Sequence, residues 1–94
     1  MRIFEITARG MEIDSDSARG MAELLASRLA GEVTLVAWFD GRTGKGHPDV
    51  PECLSKPGWL AYAENHGGEI KVNVNHYDFV FVFSAVRNAP ENGR

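Results

Sequence analysis

A single cysteine, Cys53, stands in the whole chain. No disulfide can form within it, and the paired C-x-x-C spacing of a zinc site is absent. No apolar run approaches the roughly 18 residues that a membrane-spanning helix needs. The opening MRIFEITARG is charged and lacks the apolar centre of a signal peptide, so the cytoplasm is the expected compartment. Basic residues are few and scattered. Ten Lys and Arg face thirteen Asp and Glu, for a net charge of −3. Without a basic cluster, neither nucleic acid nor a membrane surface is an expected partner. Gly41, Gly44 and Gly46 make no phosphate loop, because neither Gly-Lys-Ser/Thr nor a helix follows them.

What remains is one core's worth of chain. Ninety-four residues, 44% of them hydrophobic, fit a single small domain. That domain is expected over residues 1–87, with 88–94 a polar, disordered tail.

Arg2 to Thr7 alternates like a strand, with Phe4 and Ile6 on one side and Glu5 and Thr7 on the other. Asp14, Ser15 and Asp16 are good helix caps. A helix is expected from there to Ala30, burying Ala18, Met21, Ala22, Leu25 and Leu29 and ending at Gly31. Gly20 lies on its outer face.

Val33 to Phe39 is a second strand, apolar on both faces and therefore expected to be central. On strict alternation, Val33, Leu35, Ala37 and Phe39 share one face, and Val36 and Trp38 the other. Asp40 to Lys56 reads as a long loop, and such loops tend to carry function. Pro57 opens a second helix that closes at Gly67-Gly68. Glu69 to Asn75 alternates strictly, with Lys71 and Asn73 outward. Asp78 to Val86 is apolar on both faces, and the two form a hairpin.

The fold class expected is α+β: a two-layer α/β sandwich of order β-α-β-α-β-β. Placing alternating strands at the edges and doubly apolar strands at the centre gives a four-stranded mixed sheet ordered 1-2-4-3. Strand 4 is antiparallel and both helices cover one face. The other face is then bare, with an apolar stripe flanked by Glu5, Thr7, Lys71 and Asn73. That stripe predicts a homodimer formed through the open face.

The element order in so short a chain resembles the C-terminal domain of translation initiation factor 3 and the small bacterial sulfur-relay carriers. Gly10-Met11 occupies the carriers' Gly-Leu place. Their Cys and Pro positions fall on Ile13 and Asp14. The carrier nucleophile is missing, so the resemblance brings no activity with it. LVAWFD (Leu35 to Asp40), His47-Pro48, Cys53 and PGWLAYAENHGG (Pro57 to Gly68) resemble a small family of uncharacterised archaeal and bacterial proteins. That resemblance implies a stand-alone domain and no reaction.

Open α/β sheets bind ligands beyond the carboxyl ends of their strands. Asp40, His47, Asp49, Cys53 and Trp59 are therefore the candidate ligand-binding residues, beside the Met11–Asp16 turn. Each has a structural alternative. Asp40 suits an Asx turn, and Trp59 and Tyr62 suit the core. Cys53 suits either a buried hydrophobe or a thiol activated by the following helix. His66, about 10 Å along the helix from Trp59, falls outside the cluster.

The reading is a non-enzymatic module that binds a small ligand or a protein at the 40–59 loop edge. No cofactor, metal or catalytic residue is assigned. One alternative is a thiol-dependent sulfur carrier or sulfur-chemistry enzyme using Cys53. Another is a metal site built from His47, Cys53 and Asp40 or Asp49.

Overall fold

Asp14 starts the first helix. Its carboxylate accepts the Ser17 backbone N–H at 2.8 Å, and helix α1 runs Ser15–Ala30. Gly31, at φ 79°, ends it. The computed structural model describes residues 1–51 and 55–86. Glu52, Cys53 and the expected tail lie outside them.

Strand β1 is Arg2–Ile6 and β2 is Val33–Asp40. The segment expected to be one long loop contains a short strand, β3, Lys45–His47, which pairs antiparallel with β2. Asp40 makes the hairpin. Its carbonyl accepts the Gly44 N–H at 2.7 Å, and its Oδ1 accepts the Arg42 N–H at 2.9 Å. Helix α2 is Gly58–Asn65 with Pro57 at its cap. Strands β4, Ile70–Val74, and β5, Phe79–Ala85, form the expected hairpin.

The sheet has five strands in the order β1-β4-β5-β2-β3. The expected order 1-2-4-3 is thus corrected. β1 pairs in parallel with β4, and β2 pairs antiparallel with β5. The edge-versus-centre rule failed on β4. This strand alternates, yet it lies between β1 and β5 and all five of its residues are buried.

One misplaced strand also accounts for the helices. From β1 the chain crosses the sheet to β2 through α1, then returns through α2 to β4. Right-handed crossovers in opposite directions put their helices on opposite faces. Both helices were expected on one face, and the structure has them on two. Ala18, Ala22 and Ala26 of α1 pack over Phe79, Phe81, Phe83, Ile70, Val72 and Val74. Trp59 and Ala63 of α2 pack on Val80, Val82 and Ala37. The molecule has three layers. The likeness to the sulfur carriers and the initiation-factor domain rested on a β-α-β-α-β-β order and is not supported by this sheet.

A bulge alters the inner face of β2. Leu35 pairs with Phe83 but Ala37 pairs with Val82, leaving Val36 as the extra residue. Val33, Leu35 and Trp38 therefore join the α1 core, while Val36, Ala37 and Phe39 join the α2 core. Strict alternation had placed Ala37 and Phe39 with Leu35.

The small alanine stripe lets α1 approach closely, and the β5 phenylalanines fill the gap. Each such buried ring contributes about 1.5–3 kcal/mol. Leu29, expected in that stripe, is exposed instead. On the other face α2 is short and covers only part of the sheet. The apolar stripe expected to be bare is the surface on which α2 sits. The half over β1 and β4 carries no helix among the described residues, and Ile3 there is 60% exposed.

Candidate ligand-binding cleft

The edge of α2 and the uncovered half of the sheet meet at a cleft of about 690 Å3. That volume lies within the roughly 300–1,000 Å3 usual for small-molecule sites. Trp59 and Phe39 form one wall, stacked with ring centroids 5.3 Å apart. Leu60, Pro48 and Val50 extend the apolar lining, and Asp49 stands on the rim. Lys71 and Tyr77 form the opposite wall.

Two glycines allow this construction. A Cβ on Gly46 would lie 2.6 Å from the Trp59 ring. A Cβ on Gly58 would strike the carbonyl oxygens of Val50 and Pro51. The start of α2 therefore lies flat against the 48–51 segment, and this close approach sets the cleft's width.

Central strand β4 supplies one polar group to this wall, Lys71. Lys71 lies between Ile3 of β1 and Val82 of β5, and is only 9% exposed. Lysine is rarely so covered unless it is paired. No carboxylate lies within salt-bridge distance of it among the described residues. Its ammonium sits 5.3 Å from the centroid of the Tyr77 ring. Tyr77 is presented by the tight β4–β5 turn, where Asn75 and His76 take positive φ. Asn75 also anchors this turn to β1, since its Oδ1 accepts the Ala8 N–H at 2.8 Å.

Asn73 follows on the same face of β4. It is 2% exposed, and its Oδ1 has no hydrogen-bond partner among the described residues. Buried polar atoms are nearly always paired, so such an orphan calls for a partner.

The candidate residues separate across the sheet. Asp49 and Trp59 line the cleft on the α2 side. His47 lies on the α1 side, stacked on Trp38 at 5.9 Å. Asp40 lies on that side too, as the Asx turn already described, in a pocket of about 200 Å3 with Ser15, Asp16 and Arg19. The α1 start does meet the 40–44 hairpin as expected, and Arg42 Nη1 donates to the Ile13 carbonyl at 3.0 Å. Cys53 lies outside the described residues. Among those residues, no three metal-ligating side chains come together. His66 faces back onto its own helix, with Nδ1 2.8 Å from the Tyr62 carbonyl and its ring stacked on Tyr62.

Lys71, Asn73 and Tyr77 were not among the expected site residues. Their signal was present as two polar residues at alternate positions in an otherwise apolar strand. That pattern was read as an outer, solvated face.

Residues 1–83 match the model of a domain of unknown function, DUF5619. The chain belongs to this family. An uncharacterised protein of Archaeoglobus fulgidus is 36% identical over 70 residues, covering 74% of this chain and 75% of that one. The crystal structure of the novel protein AF1514, also from A. fulgidus, superposes with a TM-score of 0.79 at 29% identity. It covers 95% of this chain and 99% of its own. The archaeal side of the family resemblance is thus upheld, and DUF5619 carries no stated activity. No helix among the described residues is long and apolar enough to cross a membrane.

Proposed function

We propose that this DUF5619 domain is a non-enzymatic binding module that takes a small organic ligand in the cleft between α2 and β4. The observation that carries the reading is the cleft itself. It joins an aromatic and aliphatic wall to a few polar groups, Lys71 and Asp49, drawn from different elements. Its placement modifies the loop-edge expectation. Asp49 and Trp59 belong to it, while Asp40 and His47 face the other side of the sheet.

Binding rather than catalysis is favoured by the relation among the polar groups. Asp49, Lys71 and Tyr77 share no hydrogen bond of the kind that couples a nucleophile to its base. The sulfur-chemistry alternative stands on Cys53 alone and is tested separately. Mass spectrometry after mild alkylation of the folded protein reads its reactivity directly.

The test of the binding reading is a fragment screen by amide NMR on the full chain. Fragments that bind should move the amides of Lys71, Trp59 and Tyr77 together. A screen in which hits move other regions and leave these three still would refute the cleft as the site.

A further inference from the structure

We infer that the cleft's ligand is an organic acid with an apolar body, its acid group held by Lys71. This rests on the binding reading above and specifies the ligand class.

The argument begins with the cost of Lys71. A lysine on an inner strand, flanked by Ile3 and Val82, loses most of its stem's contact with water. A stable fold has no need of a charge there, and valine or isoleucine suits such a position better. Among the described residues the ammonium meets the face of Tyr77, which fixes its direction and leaves its N–H donors free. It stands on the cleft wall with no carboxylate to neutralise it among the described residues. A ligand anion completes it.

The ligand's apolar body would lie toward Trp59 and Leu60, which line the same cleft. Asp49 on the rim disfavours a second negative charge, so a monoanion fits best.

Matched probes test the class. Phenylacetate carries the acid and an apolar body. Its amide removes the charge, and phenyl phosphate changes the acid. Each is titrated at millimolar concentration into the full chain, with cleft amides followed by NMR. Phenylacetate should bind about tenfold or more tighter than its amide. Lys71→Met should abolish that preference, and Lys71→Arg should retain it. A dispersed amide spectrum certifies that each variant is folded.

If acid and amide move the cleft amides equally, the inference is overturned and the binding reading stands. A preference that survives Lys71→Met likewise overturns it. If none of the three probes moves the cleft amides, both fail.

Discussion

The ammonium of Lys71 lies 5.3 Å from the centroid of the Tyr77 ring, and the two side chains together form one wall of the cleft. Lys71 leaves β4 and reaches along the sheet toward a residue six positions later, in the hairpin turn. Its direction is set by that ring. Tyr77 is 56% exposed, so its value to the fold lies in this contact more than in burial. A double-mutant cycle of Tyr77→Leu and Lys71→Met should give a coupling of about 0.5–1 kcal/mol. Coupling indistinguishable from zero in urea titrations would show that Tyr77 does not hold the ammonium.

Two glycines in helices should respond in opposite senses to the same substitution. Gly20 faces solvent in α1, with nothing within 4 Å of an added Cβ. Gly20→Ala should stabilise the protein by about 0.5–1 kcal/mol, by restricting the unfolded chain. Gly58 opens α2, where an added Cβ meets the Val50 and Pro51 carbonyl oxygens. Gly58→Ala should cost about 1–3 kcal/mol despite alanine's better helix propensity. Thermal melts of the two variants settle this. A stabilising Gly58→Ala would mean that α2 does not lie against the 48–51 segment.

Most local structure was legible in the sequence. Asp14 and Gly31 bracket α1, Pro57 opens α2, and the 70–85 hairpin follows its alternation. The global order was not, because it turned on Lys71 and Asn73. Two polar residues at alternate positions signal an outer face when water is their partner. Here they lie on an inner strand and are largely buried. The rule that polar faces mark edge strands failed where the chain departs from a simple core, as functional positions tend to do. The crossovers then took both the strand order and the helix faces with them. The Val36 bulge was also out of reach, since an extra residue in a strand leaves no mark in an apolar run. The cleft joins α2, β4 and the 48–51 segment, so it follows from strand order and not from any one motif.

Acid should weaken the α1 start. The Ser17 backbone N–H, with a further contribution from the Ser17 side chain, holds the Asp14 carboxyl below its ordinary pKa. A carboxyl with a depressed folded-state pKa adds stability above its unfolded value. That stability is lost as pH falls through the lowered folded value. Asp14→Ala should therefore reduce Tm at neutral pH, and the gap from the parent should narrow below about pH 4. Melts across pH 2 to 7 test it. A gap constant over that range would show that the capping carboxylate is not the cause.

Removing the two buried polar groups should make the empty protein more stable while it loses its acid preference. Asn73 Oδ1 is unpaired and Asn73 is 2% exposed, so the fold carries the desolvation cost of that group. Asn73→Val should recover about 1–3 kcal/mol. The change also suits the strand, since valine favours β structure. Lys71→Met keeps an unbranched chain over the same surface and removes a charge that no described carboxylate offsets. It should raise the unfolding free energy or leave it unchanged, after allowance for the small loss at Tyr77. Urea denaturation at neutral pH without added ligand measures both. If these groups were structural, each variant would instead lose stability by more than about 1 kcal/mol, as when a satisfied hydrogen bond is removed. A lysine that weakens the fold and stands at the wall of a cleft is what a binding site requires, because sites are routinely less stable than an optimised core.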